Sequence, residues 1–272
     1  MSTTSNDYIS INKTNWNKRA EAHFTSDFYN VDEFLNGASI LNNIELEFLG
    51  DINGKTILHL QCHFGLDSLS LARMGAKVVG VDFSDSAIKK AKELQAQTNL
   101  DAEFICCNIY DLPNHLDQTF DIVFTSYGTI GWLEDIDLWG QLVQRYLKPT
   151  GYFVFAEFHP FIWTFDNDMQ ALTYDYFKGA PIVETSEGSY ADTNKEHVYE
   201  SINWNYSLSE VFNSLKSAGM QLTDFQKYDY SPYNCFSNLI EISTQKYRFK
   251  HIPIRIPMVY ALRAIPASTR IN

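Results

Sequence analysis

A chain of 272 residues, 45% hydrophobic and 20% charged, is long enough to bury one substantial core and reads as a globular domain with room for a cap. Its formal net charge of −12 disfavours nucleic acid and anionic membrane as partners, because phosphate-rich surfaces call for a basic face. No apolar run approaches the ~20 residues that cross a bilayer, so no membrane partner is expected.

Residues 1–50 read as an N-terminal helical lid. Trp16, Ala20 and Phe24, then Phe34, Leu35, Leu41, Ile44 and Phe48, recur at helical spacing on faces that need something to rest on. The opening MSTTSNDYIS has neither an apolar core nor a basic start, so no secretory signal is expected. The reducing cytosol is then the natural compartment for the four cysteines, Cys62, Cys106, Cys107 and Cys235.

The turn signal Asp51-Ile52-Asn53-Gly54 opens the second region, 51–272. Strands are expected at 56–60, 77–81, 103–106, 120–126 and 152–157. A helix starts near Leu66. Another is capped by Ser84 and carries Ala87, Ile88, Ala91 and Leu94 inward. A third carries Leu138, Leu142, Val143, Tyr146 and Leu147 and is stopped by Lys148-Pro149-Thr150-Gly151. Strands alternating with helices predict an α/β fold with a parallel sheet covered on both faces. The alternation breaks after Glu157. Residues 160 to about 203 read as an inserted lobe with short strands at 174–177, 182–185 and 198–203. A helix over 208–218, capped by Ser207, a strand over 222–228 and a closing strand over 254–264 complete the chain.

The run from Thr56 to Asp82, TILHLQCHFGLDSLSLARMGAKVVGVD, is a strand, a tight turn at Gly65, a helix, and a strand ending in an acid. Such an acid can accept hydrogen bonds from a ribose diol. A dinucleotide site needs several glycines so that pyrophosphate can approach the backbone. Only Gly65 stands between His59 and Gly65, which favours a ligand with adenosine but no phosphates, namely S-adenosylmethionine. Asn108, after the third strand, is placed to meet an adenine edge.

Taken together, Trp16-Asn17-Lys18-Arg19-Ala20, HLQCHFGxD at 59–67, GVDFS at 80–84, FDIVFTSYG at 120–128, EFHP at 157–160 and YSPYNCF at 230–236 resemble a class I S-adenosylmethionine-dependent methyltransferase, of a bacterial subgroup with this first motif. The resemblance covers nearly the whole chain and implies a Rossmann-like, seven-stranded, mostly parallel sheet with the cofactor across the ends of its first strands. It departs from the family at acid-x-Gly-x-Gly-x-Gly, here His59-x-Gln61-x-His63-x-Gly65, so the acid that would meet the methionine ammonium is missing. The cofactor residues implied are Gln61, Cys62, His63, Gly65, Asp82, Phe83, Ser84, Asn108, Ile109, Ser126 and Tyr127. Trp16 and Arg19 on the first helix would cover the cofactor, with Arg19 a partner for its carboxylate.

Glu157 and His159 follow the fifth strand at the rim where open α/β sheets bind ligands, and are the candidates for removing a substrate proton. Trp132, His197, Trp204 and Tyr233 are candidate walls of a substrate pocket. Cys62, His59 and His63 do not make a metal set, since His59 belongs to a buried strand and no Cys-x-x-Cys pair exists; no metal is expected. The expected activity is methyl transfer by in-line displacement to an O or N nucleophile of a small molecule. The end of the fourth strand lacks Asn/Asp-Pro-Pro-Tyr/Phe, which argues against nucleic-acid bases as acceptors. Two other readings are a non-catalytic S-adenosylmethionine sensor and an NAD(P)-dependent oxidoreductase. The sequence leaves the acceptor and the oligomeric state open.

Overall fold

Local sequence rules account for much of the architecture in the computed structural model, which describes residues 5–267. The N-terminal region forms α1 (Ser5–Phe24), α2 (Val31–Leu35) and α3 (Asn43–Leu49). The alternating region follows as β1 (Thr56–Leu60), α4 (Leu66–Arg73), β2 (Lys77–Asp82), α5 (Asp85–Thr98), β3 (Ala102–Cys106), β4 (Phe120–Ser126), α6 (Ile136–Arg145) and β5 (Leu147–Phe158). Helix α5 is a direct product of its sequence. The Ser84 hydroxyl accepts from Ala87 N–H, Ala87, Ile88, Ala91 and Leu94 are buried, and Asn99 ends the helix in the left-handed conformation.

Beyond β5 come β6 (Ile182–Glu187), β7 (Val198–Asn203), α7 (Leu208–Ser217), β8 (Met220–Tyr228), β9 (Leu239–Ser243), β10 (Lys246–Phe249) and β11 (Val259–Pro266). Seven strands form one sheet in the order β3-β2-β1-β4-β5-β11-β8. The pairs from β3 to β5 are parallel, and β11 runs antiparallel to both β5 and β8. Successive residues of a strand face opposite sides. Leu58, Val123 and Phe153 therefore pack with Trp139 and Val143 of α6 and Leu215 of α7, while Ile57, Ile122 and Val154 pack with Phe48 of α3, Leu69 of α4 and Leu94 of α5.

The inserted lobe is an antiparallel hairpin of β6 and β7. Helix α1 lies against β7 and α5. Asn12 Nδ2 donates to Ile202 O at 2.7 Å and Asn12 Oδ1 accepts from Ile202 N at 2.9 Å, while Asn15 Nδ2 donates to Glu200 O at 2.6 Å. Two asparagine side chains thus occupy backbone groups that an edge strand would leave open.

Several sequence expectations are corrected. No strand forms over 174–177; Thr173 N and Tyr174 N both donate to Thr164 O, and the Tyr174 hydroxyl donates to Glu184 at 2.6 Å, so turn contacts hold this segment. The closing strand starts at Val259, not at 254. Pro253 and Pro257 have no N–H to give a ladder, and Ile254 is 71% exposed. Strand β5 begins earlier than expected, at Leu147, with an irregular register opposite Phe120 and Ile122. The β9–β10 hairpin was not anticipated.

Candidate functional site

A cavity of about 950 Å³ lies over the carboxyl ends of β1, β2 and β4. This is where open α/β sheets bind ligands. Its walls include Trp16, Arg19, Gln61, Cys62, His63, Gly65, Asp82, Phe83, Asn108, Ile109, Ser126, Tyr127, Trp132, Glu157, Trp204 and Tyr233. Three predicted residues stand outside it. Ser84 is wholly buried as the cap of α5, its hydroxyl donating to Asn17 Oδ1 at 2.7 Å. His159 is buried with Nδ1 accepting from Phe161 N–H at 3.2 Å, and burial lowers its pKa to about 4. His197 sits half-exposed on the lobe, bound through Nδ1 to Asp192 Oδ2 at 2.7 Å.

The loop after β1 explains how a glycine-poor motif forms this turn. Gln61, His63 and Gly65 have φ of 55°, 51° and 81°, so the left-handed conformation recurs at every second residue. Glycine takes it freely, whereas a side chain there costs about 1–2 kcal/mol. Surrounding contacts hold the two strained residues. Gln61 Nε2 donates to Thr129 O at 2.8 Å, and His63 N–H donates to Asp82 Oδ2 at 2.9 Å. The His63 ring packs against Trp16, His23 and Tyr29 at centroid distances of 5.4, 5.5 and 5.4 Å. Burial lowers the pKa of His63 and, to about 3, that of His23, so both rings are neutral. His59, at the position of the missing acid, meets Ser68 Oγ through Nδ1 at 2.8 Å and ties β1 to α4.

The acids of the cavity differ in how fully their oxygens are occupied. Glu157 is saturated: Oε1 accepts from the N–H groups of Gly128 and Phe158, and Oε2 from Thr129 N–H and Oγ1. An ionised carboxylate has about four acceptor sites, so no site is left for a substrate proton. Glu157 thus anchors the β4 exit loop to β5. Asp82 accepts backbone N–H groups on both oxygens, from Ser84 at 2.9 Å and His63 at 2.9 Å, with the Phe83 N–H also acting on it, and still has fewer donors than Glu157. Burial pushes its pKa up to about 6 against these bonds. Asn108 Oδ1 accepts from Tyr110 N–H at 3.1 Å, which leaves its NH2 as the group with hydrogen bonds to give. Arg19 Nε donates to Asn15 Oδ1 at 2.6 Å, and its guanidinium lies 4.7 Å from the ring centre of Tyr199.

Two acids escaped sequence reasoning. Asp67 stands in the first turn of α4 and lines the cavity, with Oδ2 accepting from Ser126 Oγ at 2.9 Å. Glu45, wholly buried on α3, accepts from Asn42 Nδ2 at 3.2 Å and from the Tyr127 hydroxyl at 3.2 Å. An acid at the end of HFGLD was the available signal for Asp67; Glu45 had none. Burial first, and Asp67 next, push Glu45 up to about 8, while burial pushes Asp67 up to about 6. At neutral pH Glu45 keeps its proton and Asp67 carries the charge. Because the folded-state value of Glu45 lies above its ordinary 4.5, its contribution to stability is complete below about pH 4.5 and is lost as pH rises through about 8. Glu45→Gln is therefore expected to melt several degrees above the parent chain at pH 9, with the gap closing towards pH 5. Thermal melts across that range check this, and equal melting at pH 9 would refute it.

A family model described as Methyltransferase domain matches residues 52–210. A ubiquinone biosynthesis O-methyltransferase of Coxiella burnetii is 31% identical over 121 residues, covering 42% of this chain and 51% of that protein. Phosphoethanolamine N-methyltransferase 1 of Triticum aestivum is 32% identical over 116 residues, covering 41% of this chain and 23% of that protein. The chain thus spans about half the length of these curated relatives, or less. The structure of the DhpI–SAH complex superposes with a TM-score of 0.57 at 17% identity, covering 98% of this chain and all of that one, a likeness of fold. With the family match extending over more than half its length, from the residues before β1 into α7, the chain belongs to the methyltransferase-domain family.

Proposed function

We propose that this methyltransferase takes S-adenosylmethionine as its methyl donor and an O or N nucleophile of a small molecule as acceptor, in the cytosol. The observation that carries the reading is the unoccupied acceptor capacity of Asp82 at the end of β2, inside a cavity that also receives Asn108 and the Gln61–Gly65 turn. A ribose diol supplies donors to such a carboxylate, and the Asn108 NH2 suits an adenine nitrogen. The cofactor supplies a methyl group already activated on a positively charged sulfur. The protein's part is to align the acceptor and exclude water. Trp16 from α1 and Tyr190 from the inserted lobe both line the cavity, each against the His23 ring, and serve the second task. With Glu157 engaged by four donors and His159 outside the cavity lining, an acceptor reactive without a strong base fits the site best.

Calorimetric titration with S-adenosylhomocysteine and with NADH tests the cofactor. Binding of the first alone is expected; binding of NADH alone would replace this reading with the oxidoreductase one. Asp82→Ala should weaken S-adenosylhomocysteine by about 1.5–3 kcal/mol, roughly tenfold to a hundredfold. Unchanged affinity in the folded variant would remove Asp82 from the ribose site. A sensor without transferase activity would bind the cofactor yet leave a panel of phenols and amines unmethylated.

A further inference from the structure

A half-buried strand ordinarily points its apolar residues inward and its polar ones outward. The β6–β7 hairpin does the reverse at the cavity. Val183 is 67% exposed, whereas its neighbour Glu184 lines the cavity, as do Ser201 and Asn203 of β7. Glu184 stands directly opposite Ser201 in the register, so the two side chains share one face. Both donors to Glu184, the Tyr174 hydroxyl at 2.6 Å and Asn167 Nδ2 at 3.2 Å, meet Oε1, and Oε2 accepts from no described residue. Nor does any lysine, arginine or histidine among the described residues pair with this carboxylate. Ser201 is 7% exposed, yet its hydroxyl retains open surface and has no partner among the described residues. Asn205, also 7% exposed, commits its NH2 to Trp163 O at 3.1 Å and Asp175 O at 2.7 Å. Its Oδ1 is thereby left without a donor among the described residues, in a side chain of the cavity wall.

A carboxylate oxygen and an amide oxygen only accept, while a hydroxyl and the Asn203 amide do both. Such a set calls for a ligand rich in N–H and O–H groups, since a largely buried acceptor is unfavourable until a donor reaches it. Trp163, whose carbonyl holds Asn205, and Trp204 line the same cavity, and aromatic rings favour a cationic donor further. We propose that Glu184, Ser201, Asn203 and Asn205 form the acceptor-binding roof of the cavity. The acceptor is a hydroxylated amine, an amino sugar or amino alcohol, with its amino group on Glu184. The proposal rests on the S-adenosylmethionine reading and adds the substrate class to it. A cavity of about 950 Å³ lies at the upper end of the ~300–1,000 Å³ of small-molecule sites, which suits a cofactor with a second ligand beside it. The opposing account is a wetted wall, where these groups meet water only.

The test titrates the full chain, saturated with S-adenosylhomocysteine, with glucosamine and with glucose, which has a hydroxyl in place of the amino group. Saturation-transfer NMR reads the weak binding. The parent is expected to hold glucosamine about tenfold tighter than glucose. Glu184→Gln should erase that preference. Glu200→Gln, which removes the same charge from the opposite face of the hairpin, should keep it. A ratio between two sugars does not follow from a general loss of stability, and thermal melts establish that both variants are folded. Equal binding of the two sugars by the parent, or binding of neither, would overturn the roof. So would a preference that survives in Glu184→Gln or is lost in both variants. Titration with S-adenosylhomocysteine alone comes first. Should the parent chain not bind it, the S-adenosylmethionine reading fails on that measurement, and the sugar titrations of the free chain still decide the roof.

Discussion

Replacing Glu157 with alanine is expected to cost about 3–5 kcal/mol of folding stability. The carboxylate lies at 1% exposure at the end of β5 and accepts from three backbone N–H groups and one hydroxyl. Alanine would leave the N–H groups of Gly128, Thr129 and Phe158 without their acceptor at a largely buried position. Burial raises the Glu157 pKa, and these donors hold the rise down. Glu157→Gln should also destabilise, because an amide NH2 would face backbone donors where the site requires only acceptors. Urea denaturation of both variants, with the parent as reference, measures the effect. A glutamine variant as stable as the parent, but without transferase activity, would return Glu157 to the role of proton acceptor.

Gly65→Ala is expected to cost about 2–5 kcal/mol, from two additive sources. At φ +81° a Cβ is strained wherever it points, and here it would lie 2.7 Å from the Phe104 ring and 3.1 Å from Ala91 Cβ. The glycine is thus fixed first by the packing of the β1–α4 turn against β3 and α5. Its place in the cavity wall follows from that packing. Adding Phe104→Ala to the Gly65→Ala chain should recover part of the loss, since the two side chains would no longer compete for one space. Denaturant midpoints of the four proteins in this cycle provide the measurement. Full stability of Gly65→Ala, with only ligand affinity lost, would mean that the glycine serves the ligand and not the packing.

What was legible in the sequence shares one physical property, in that its causes act over a few residues. Ser84 caps α5 through Ala87, and Ser207 with Glu210 forms a capping box for α7. The apolar period of α5 and the strand–helix alternation from Thr56 to Phe158 reported the parallel sheet. Asp82 was placed by the end of its own strand. The β9–β10 hairpin escaped because β9 has no buried face to impose an apolar alternation.

The sequence by itself determined the layered α/β fold and the turn–strand–acid frame from His59 to Asp82, since local periodicity and capping suffice for both. Tertiary structure decided which acids are free to act. Glu157 is engaged by Gly128 and Thr129, about 30 positions earlier in the chain, whereas Asp67 and Glu45 converge from α4 and α3 with no cation beside them among the described residues. Only the fold could seal α1 onto β7 through Asn12 and Ile202, 190 residues apart. Whether a carboxylate's oxygens are occupied depends on donors brought in from distant segments, and those distances are set by the packed chain.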